Sequence, residues 1–175
     1  MKKRVLMLLL LVLPGCGDSE DQARILFQAA HQAMDRREPL EAETLLSRIE
    51  RDYRETTVAD QAIQTLRDYQ SEIEGAAIEG LREVNVAQAA FAAANDGRYG
   101  FSLTELVVAG LLNSELTGVT IRGYRYRTIL DDEIGYRVLA TPLINPDTKR
   151  HFYTDTTGVI RWKGGEPADQ DSPAL

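Results

Sequence analysis

The sequence predicts an α+β fold: an N-terminal amphipathic helical hairpin or long helix, then a four-stranded antiparallel sheet packed on a helix. Three observations carry this. Apolar residues recur with helical period from about residue 20 to residue 96. From residue 121 onward, tyrosines and β-branched residues alternate with arginines. Between the two regimes stands Asn95-Asp96-Gly97, a helix stop. The 175 residues are 43% apolar and 27% charged, enough for one ordinary domain or two small ones.

The chain opens with Lys2-Lys3-Arg4 and an apolar run over 5–13, too short to span a bilayer and suited to a secretory leader. No small-residue pair of the ordinary cleavage type follows. The run instead meets Leu13-Pro14-Gly15-Cys16, which resembles the lipobox of bacterial lipoproteins. That resemblance implies removal of residues 1–15, diacylation of the Cys16 sulfur and acylation of its new α-amino group. Several acyl chains give stable anchoring where one is marginal. Gly17, in place of the aspartate that retains such proteins at the inner membrane of enteric-type bacteria, implies the outer membrane. The expected location is therefore membrane-anchored and periplasm-facing.

Ser19-x-x-Gln22 has capping-box spacing, and Leu26, Ala29, Ala30, Ala33 and Met34 form one helical face. Pro39 suits the first position of a second helix, with Ala42, Leu45, Leu46, Ile49 and Tyr53 in phase. Thr56 or Thr57 can cap a third, along which Ala59, Ala62, Ile63, Leu66, Gln70 and Ile73 share a side. Ala77, Leu81, Val84, Gln88 and Phe91 continue that phase. One helix over 57–96, kinked near Gly75 or Gly80, and a break there are both compatible, since a helical glycine costs about 1 kcal/mol against alanine.

The run Ala42-x3-Leu46-x2-Ile49-x3-Tyr53-x2-Thr56-x2-Ala59-x2-Ala62 resembles tetratricopeptide repeats of envelope lipoproteins, with Arg54 and Thr56 where proline and serine are usual. It spans about one and a half repeats, and a solenoid needs at least three. An ordinary helical hairpin with small residues at its contacts accounts for the pattern equally well. This segment, 16–75, is expected to be a helical arm.

A short helix over 103–112 leads to strands at 121–130 and 136–141, joined through Asp131-Asp132-Glu133-Ile134-Gly135. After the turn Asn145-Pro146-Asp147, strands at 150–155 and 159–162 form a second hairpin around Thr156-Thr157-Gly158. Residues 164–175, rich in glycine, proline and acid, are expected to be a disordered acidic tail.

Residues 79–161 resemble the globular domain of type IV pilins and type II secretion pseudopilins. The residues that carry this are Asn85, Ala87-Gln88 and Phe91, then Tyr99, Leu103 and Ala109-Gly110-Leu111-Leu112. Leu106, Gly123-Tyr124, Gly135-Tyr136, Ala140-Thr141-Pro142, the run from Arg150 to Asp155 and Gly158-Val159-Ile160-Arg161 complete the set. The resemblance implies a pilin-like α+β domain over 76–163. Pilins polymerise through a long apolar N-terminal helix, whose place is taken here by polar amphipathic helices, so the domain reads as a reused module. Gly100-Phe101-Ser102-Leu103-Thr104-Glu105-Leu106-Val107-Val108 imitates a prepilin peptidase site, but the apolar run stops at Asn113. Phe101, Leu103 and Leu106 are expected to be buried instead, and Glu105 to face solvent.

No catalytic constellation is expected. His31 shares a polar helix face with Gln28 and Asp35, and His151 has no second histidine or cysteine to complete a metal set. The acids at 131–133 are adjacent instead of spaced for calcium, and no pseudopilin calcium ligand carries over. The expectation is no enzyme, no cofactor and no metal.

Charge is unevenly spread. Loss of Lys2, Lys3 and Arg4 with the leader takes the formal charge from −7 to −10, against nucleic-acid binding. Residues 16–97 hold 8 arginines and 17 acids, whereas 122–163 hold 8 cations and 5 acids. Tyr124, Arg125, Tyr126, Arg127, Arg150 and Trp162 thus form a candidate interface for a protein, an anionic glycan or lipid headgroups, since such residues are enriched at hot spots. The simpler reading, preferred for most of these residues, packs the tyrosines on the helix and leaves the arginines solvated outside. The expected function is a non-enzymatic protein-interaction or scaffold lipoprotein with an envelope protein partner. The alternative is an accessory component of a type II secretion or type IV pilus system.

Overall fold

The computed structural model describes residues 19–117, 123–131 and 135–175. The leader 1–15, Cys16 and the hairpin-tip residues Asp132, Glu133 and Ile134 lie outside them. Helix α1 (Ser19–Asp35) packs antiparallel to α2 (Pro39–Asp52), and both rest on the first part of α3 (Thr57–Ala94). Alanines 23, 30 and 33 are fully buried on α1 and let the helices approach closely, while Leu46 and Ile49 fill the space between them. Gln22 is not used in a capping box. Its side chain accepts from the Tyr53 hydroxyl at 3.1 Å and ties α1 to the end of α2.

The α1–α2 turn is a Schellman motif without glycine. The Glu38 N–H donates to Ala33 O and the Arg37 N–H to Met34 O, with Arg37 at φ 58°. The N-terminus of α3 is closed from another helix: the Glu20 carboxylate accepts from the Thr57 N–H at 3.0 Å and from the Thr57 hydroxyl. Negative charge there is favourable, because it meets the exposed N–H groups and the positive end of the helix dipole.

Helix α3 is continuous through Gly75 and Gly80, and its 38 residues span about 57 Å at 1.5 Å per residue. It carries two cores in succession. Val58, Ala59, Ala62 and Leu66 face α1 and α2, and Ile73, Ala77, Leu81, Val84 and Phe91 face the sheet. At its C-terminus Asp96, not Gly97, takes the left-handed C′ place (φ 54°), while the Gly97 N–H donates to Ala92 O.

The sheet is an antiparallel meander of β1 (Tyr124–Asp131), β2 (Gly135–Pro142), β3 (Arg150–Asp155) and β4 (Arg161–Gly164). The fold is therefore α+β with helices first. Tyr124, Tyr136, Val138, Ala140 and Phe152 point from alternate positions onto α3. Pro142 is tolerated inside β2 because Leu143 N–H donates to Gly123 O, which leaves Pro142 opposite Tyr124 at a position that needs no donor.

Two expectations are corrected. Residues 164–175 are not a disordered tail: Trp162 N–H donates to Pro173 O (2.9 Å), Leu175 N–H to Ile160 O (3.0 Å), and the Arg161 guanidinium to Ser172 O (2.9 Å). Ala168 and Ser172 are buried. The polar composition hid a backbone that pairs with the free edge of β4, which removes an exposed strand edge. Phe101, expected to be buried, is 62% exposed. It precedes the cap of α4 (Leu103–Val108), where Ser102 Oγ accepts from Glu105 N–H, and only Leu103 and Leu106 of the motif turn inward. Glu105 is held too, accepting from Phe101 N–H at 2.8 Å and pairing with Arg98 at 3.3 Å.

Candidate functional site

The six residues of the candidate interface do not share one surface. Tyr124 is 1% exposed, with its hydroxyl donating to Arg150 O at 2.7 Å and its ring 5.6 Å from that of Phe152. Burial and the nearby Glu74 carboxylate push this phenol far above its ordinary pKa. Tyr126 is half-buried and donates to Ala77 O of α3. Arg150 lies over the rings of Phe152 and Trp162, at 5.7 and 5.4 Å. Only Arg125 and Arg127 of the six are exposed, on the sheet face turned away from α3.

Arg150 instead belongs to a charged junction where the helices meet the sheet. Its Nε donates to Glu74 Oε2 at 2.9 Å, with Nη2 bonded to the same oxygen. The preceding Lys149 pairs with Glu43 of α2, a carboxylate 2% exposed. Two consecutive residues at the start of β3 thus grip two different helices. A cavity of about 110 Å³ opens between them, lined by Gln70, Ile73, Thr148 and both ion pairs. Both carboxylates are neutralised within the site, so its chemistry is that of a clamp. Sequence reasoning missed Glu43, Glu74 and Lys149 because the pairs lie 106 and 76 residues apart, beyond any local spacing rule.

A second polar cluster joins α3 to the sheet. Asn85 accepts from the Tyr136 hydroxyl at 3.0 Å and donates to Thr154 Oγ1 at 2.9 Å and to Gly158 O at 3.3 Å. Burial raises Tyr136 to about 12, so the phenol stays a donor across the physiological range. Asn85 and Gln88 are both among the residues that carried the pilin-like resemblance, and both hold the backbone around α3 in place.

The histidines are occupied locally. His31 donates from Nδ1 to Phe27 O at 2.9 Å on an exposed face, and buried His151 donates from Nε2 to Pro146 O at 3.0 Å. Asp131 lies 4.0 Å from Arg137. Among the described residues, no set of histidine, cysteine and acidic side chains is arranged to hold a metal ion. No helix of the described residues is long and apolar enough to cross a membrane. Comparison with protein-family models, with curated proteins and with solved structures gives no match.

Proposed function

We propose that this protein is a membrane-anchored envelope lipoprotein whose helical arm presents a sheet domain to a protein partner. The observation that carries the reading is the division of α3 into two successive cores. Ser19 begins α1 three residues after Cys16, and the Glu20–Thr57 bonds hold that end beside the start of α3. The sheet sits on the later part, from Ile73 to Phe91, roughly 24 to 51 Å further along the helix axis. An anchor at Cys16 and the sheet would then lie at opposite ends of one continuous helix. The clamps at Glu43 and Glu74 fix the angle between them, which suits a spacer that displays a binding surface, most simply a non-enzymatic scaffold subunit.

The test is metabolic acyl labelling of the wild type and of Cys16→Ser, with fractionation of the envelope. The thiol is the acyl acceptor, so the variant should lose the label and accumulate as precursor. Labelling that persists in the variant would remove the lipoprotein reading. The alternative, an accessory component of a type II secretion or type IV pilus system, draws on the antiparallel meander packed across α3. It requires the protein to co-purify with such a machine from cross-linked cells.

A further inference from the structure

The outer face of the sheet is the part of the molecule that neither core nor clamp explains. Because side chains alternate, this face carries Arg125, Arg127, Ile129 and Asp131 of β1, Arg137 and Leu139 of β2, the buried His151, Tyr153 and Asp155 of β3, and Arg161 and Lys163 of β4, five arginines and lysines against two acids. The register aligns Arg127, Leu139, Tyr153 and Arg161 in one row across all four strands. Most cations on the face are engaged: Arg137 near Asp131, Lys163 with Glu166 at 3.1 Å, and Arg161 with Ser172 O. Arg125 and Arg127 are not. Both are exposed, and among the described residues neither has a carboxylate within 4 Å.

That absence is notable in a chain with 27 acids. Nearly every acidic side chain of the arm lies on α1, α2 and the first part of α3, so the molecule is acidic along its helices and basic on its outer sheet face. Two arginines at i and i+2 of one strand stand about 6.6–6.8 Å apart, twice the rise per residue. An extended partner with acids at alternate positions repeats at the same distance. Each guanidinium can then take one carboxylate through two parallel hydrogen bonds.

We infer that the outer face of the sheet, through Arg125 and Arg127, binds an extended protein segment with glutamate or aspartate at alternate positions. The inference deepens the scaffold reading by giving the partner a chemistry, and rests on that reading for the partner being a protein. A bilayer suits the face less well. To reach it, the arm would have to lie flat, bringing its acid-rich helices against anionic headgroups.

The experiment titrates the chain from Gly17 onward, which contains every described residue, with an eight-residue peptide alternating glutamate and serine. Backbone and arginine side-chain NMR signals are followed at low ionic strength. Saturable shifts confined to β1 and β2 are expected. The paired substitution Arg125→Gln with Arg127→Gln should weaken binding about tenfold or more, as expected for lost charge-assisted bonds. The control pair, Arg54→Gln with Arg67→Gln on the exposed arm, should leave it unchanged. A peptide of the same composition with contiguous glutamates should bind more weakly. Equal binding of the two peptides, equal loss in both variant pairs, or non-saturating shifts at all exposed arginines would overturn the proposal. So would tighter, Arg125/Arg127-dependent binding to phosphatidylglycerol vesicles, or self-association through this face. The measurement uses unacylated protein, so its outcome is independent of whether Cys16 is lipidated.

Discussion

Gln88 satisfies both backbone groups of Gly100. The Gly100 N–H donates to Gln88 Oε1 at 2.8 Å, and Gln88 Nε2 donates to Gly100 O at 2.9 Å, with Gln88 fully buried on α3. The side-chain amide acts as a substitute peptide unit, pairing with the loop as a neighbouring strand would. An amide suits the place because it offers one donor and one acceptor side by side at any ordinary pH, whereas an ionised carboxylate only accepts.

Gln88→Leu should therefore be disproportionately costly for a polar-to-apolar change in a core. Two buried backbone groups lose their partners, at about 1–3 kcal/mol each. Gln88→Glu keeps the acceptor for Gly100 N–H but sets a carboxylate against Gly100 O, and should also destabilise. Chemical denaturation of both variants checks this. A Gln88→Leu protein with the wild-type midpoint would mean that water replaces the amide.

The two glycines of α3 should respond to alanine with opposite signs. Gly75 is exposed, and a Cβ there would meet nothing within 4 Å. Gly75→Ala should stabilise by about 0.5–1 kcal/mol through helix propensity and a less flexible unfolded chain. Gly80 lies beneath Tyr126, whose hydroxyl oxygen would be 2.5 Å from an added Cβ, with Leu116 at 3.0 Å. Gly80→Ala must displace the tyrosine and its bond to Ala77 O, and should cost about 1–3 kcal/mol, as overpacking does. Paired thermal melts decide the signs.

The clamp between α2 and β3 makes a third case. Lys149→Met leaves Glu43 buried without its counter-charge, which typically costs about 3–5 kcal/mol. Replacing both, with Glu43→Leu added, should recover most of that loss, because an apolar pair avoids the desolvation of two charges. A double variant as unstable as Lys149→Met would show that the pair contributes specific geometry beyond charge compensation. Hydrogen exchange on α2 should report whether the arm loosens before the sheet does.

The helical half was legible to the extent that its signals are local. Pro39 starts α2, and the apolar phase from Ala59 to Phe91 runs along one helix. The sheet was legible through alternation and turn residues, although β4 lies two residues later than its composition suggests, at Arg161–Gly164. What escaped were contacts set by distant partners. Nothing near Glu43 announces Lys149, and nothing in the acidic composition of 164–175 announces backbone pairing with Ile160 and Trp162. Phe101 misleads because an aromatic residue just before an N-cap often packs on the residue at N4, here Leu106, whereas in this structure Leu106 turns into the core and Phe101 is left exposed. The six candidate interface residues divide by strand alternation: Tyr124 and Tyr126 pack on α3 while Arg125 and Arg127 face outward, which is the simpler of the two arrangements the sequence offers.

Asp155, at the end of β3, gives a pH-dependent prediction. Burial works to raise its pKa, but hydrogen bonds from the Thr157 hydroxyl and N–H and the Tyr153 hydroxyl, with the charge of Arg161, outweigh it. The carboxyl is held below its ordinary value. A depressed folded-state value means that folding favours the charged form. The resulting stability is present in full above the unfolded value of about 3.9 and is lost as pH falls through the folded value. Asp155→Asn keeps an oxygen acceptor for Thr157 but cannot titrate. The wild type should exceed the variant in stability at pH 7, and the gap should narrow as pH falls from about 5 toward 3. Urea midpoints for both proteins across that range provide the measurement. A gap of constant size would show that the hydrogen-bond geometry at the Thr156-Thr157-Gly158 turn, and not the charge, is what Asp155 contributes. A gap that widened toward acid would reverse the sign of the coupling and require the neutral carboxyl to be the form the fold prefers.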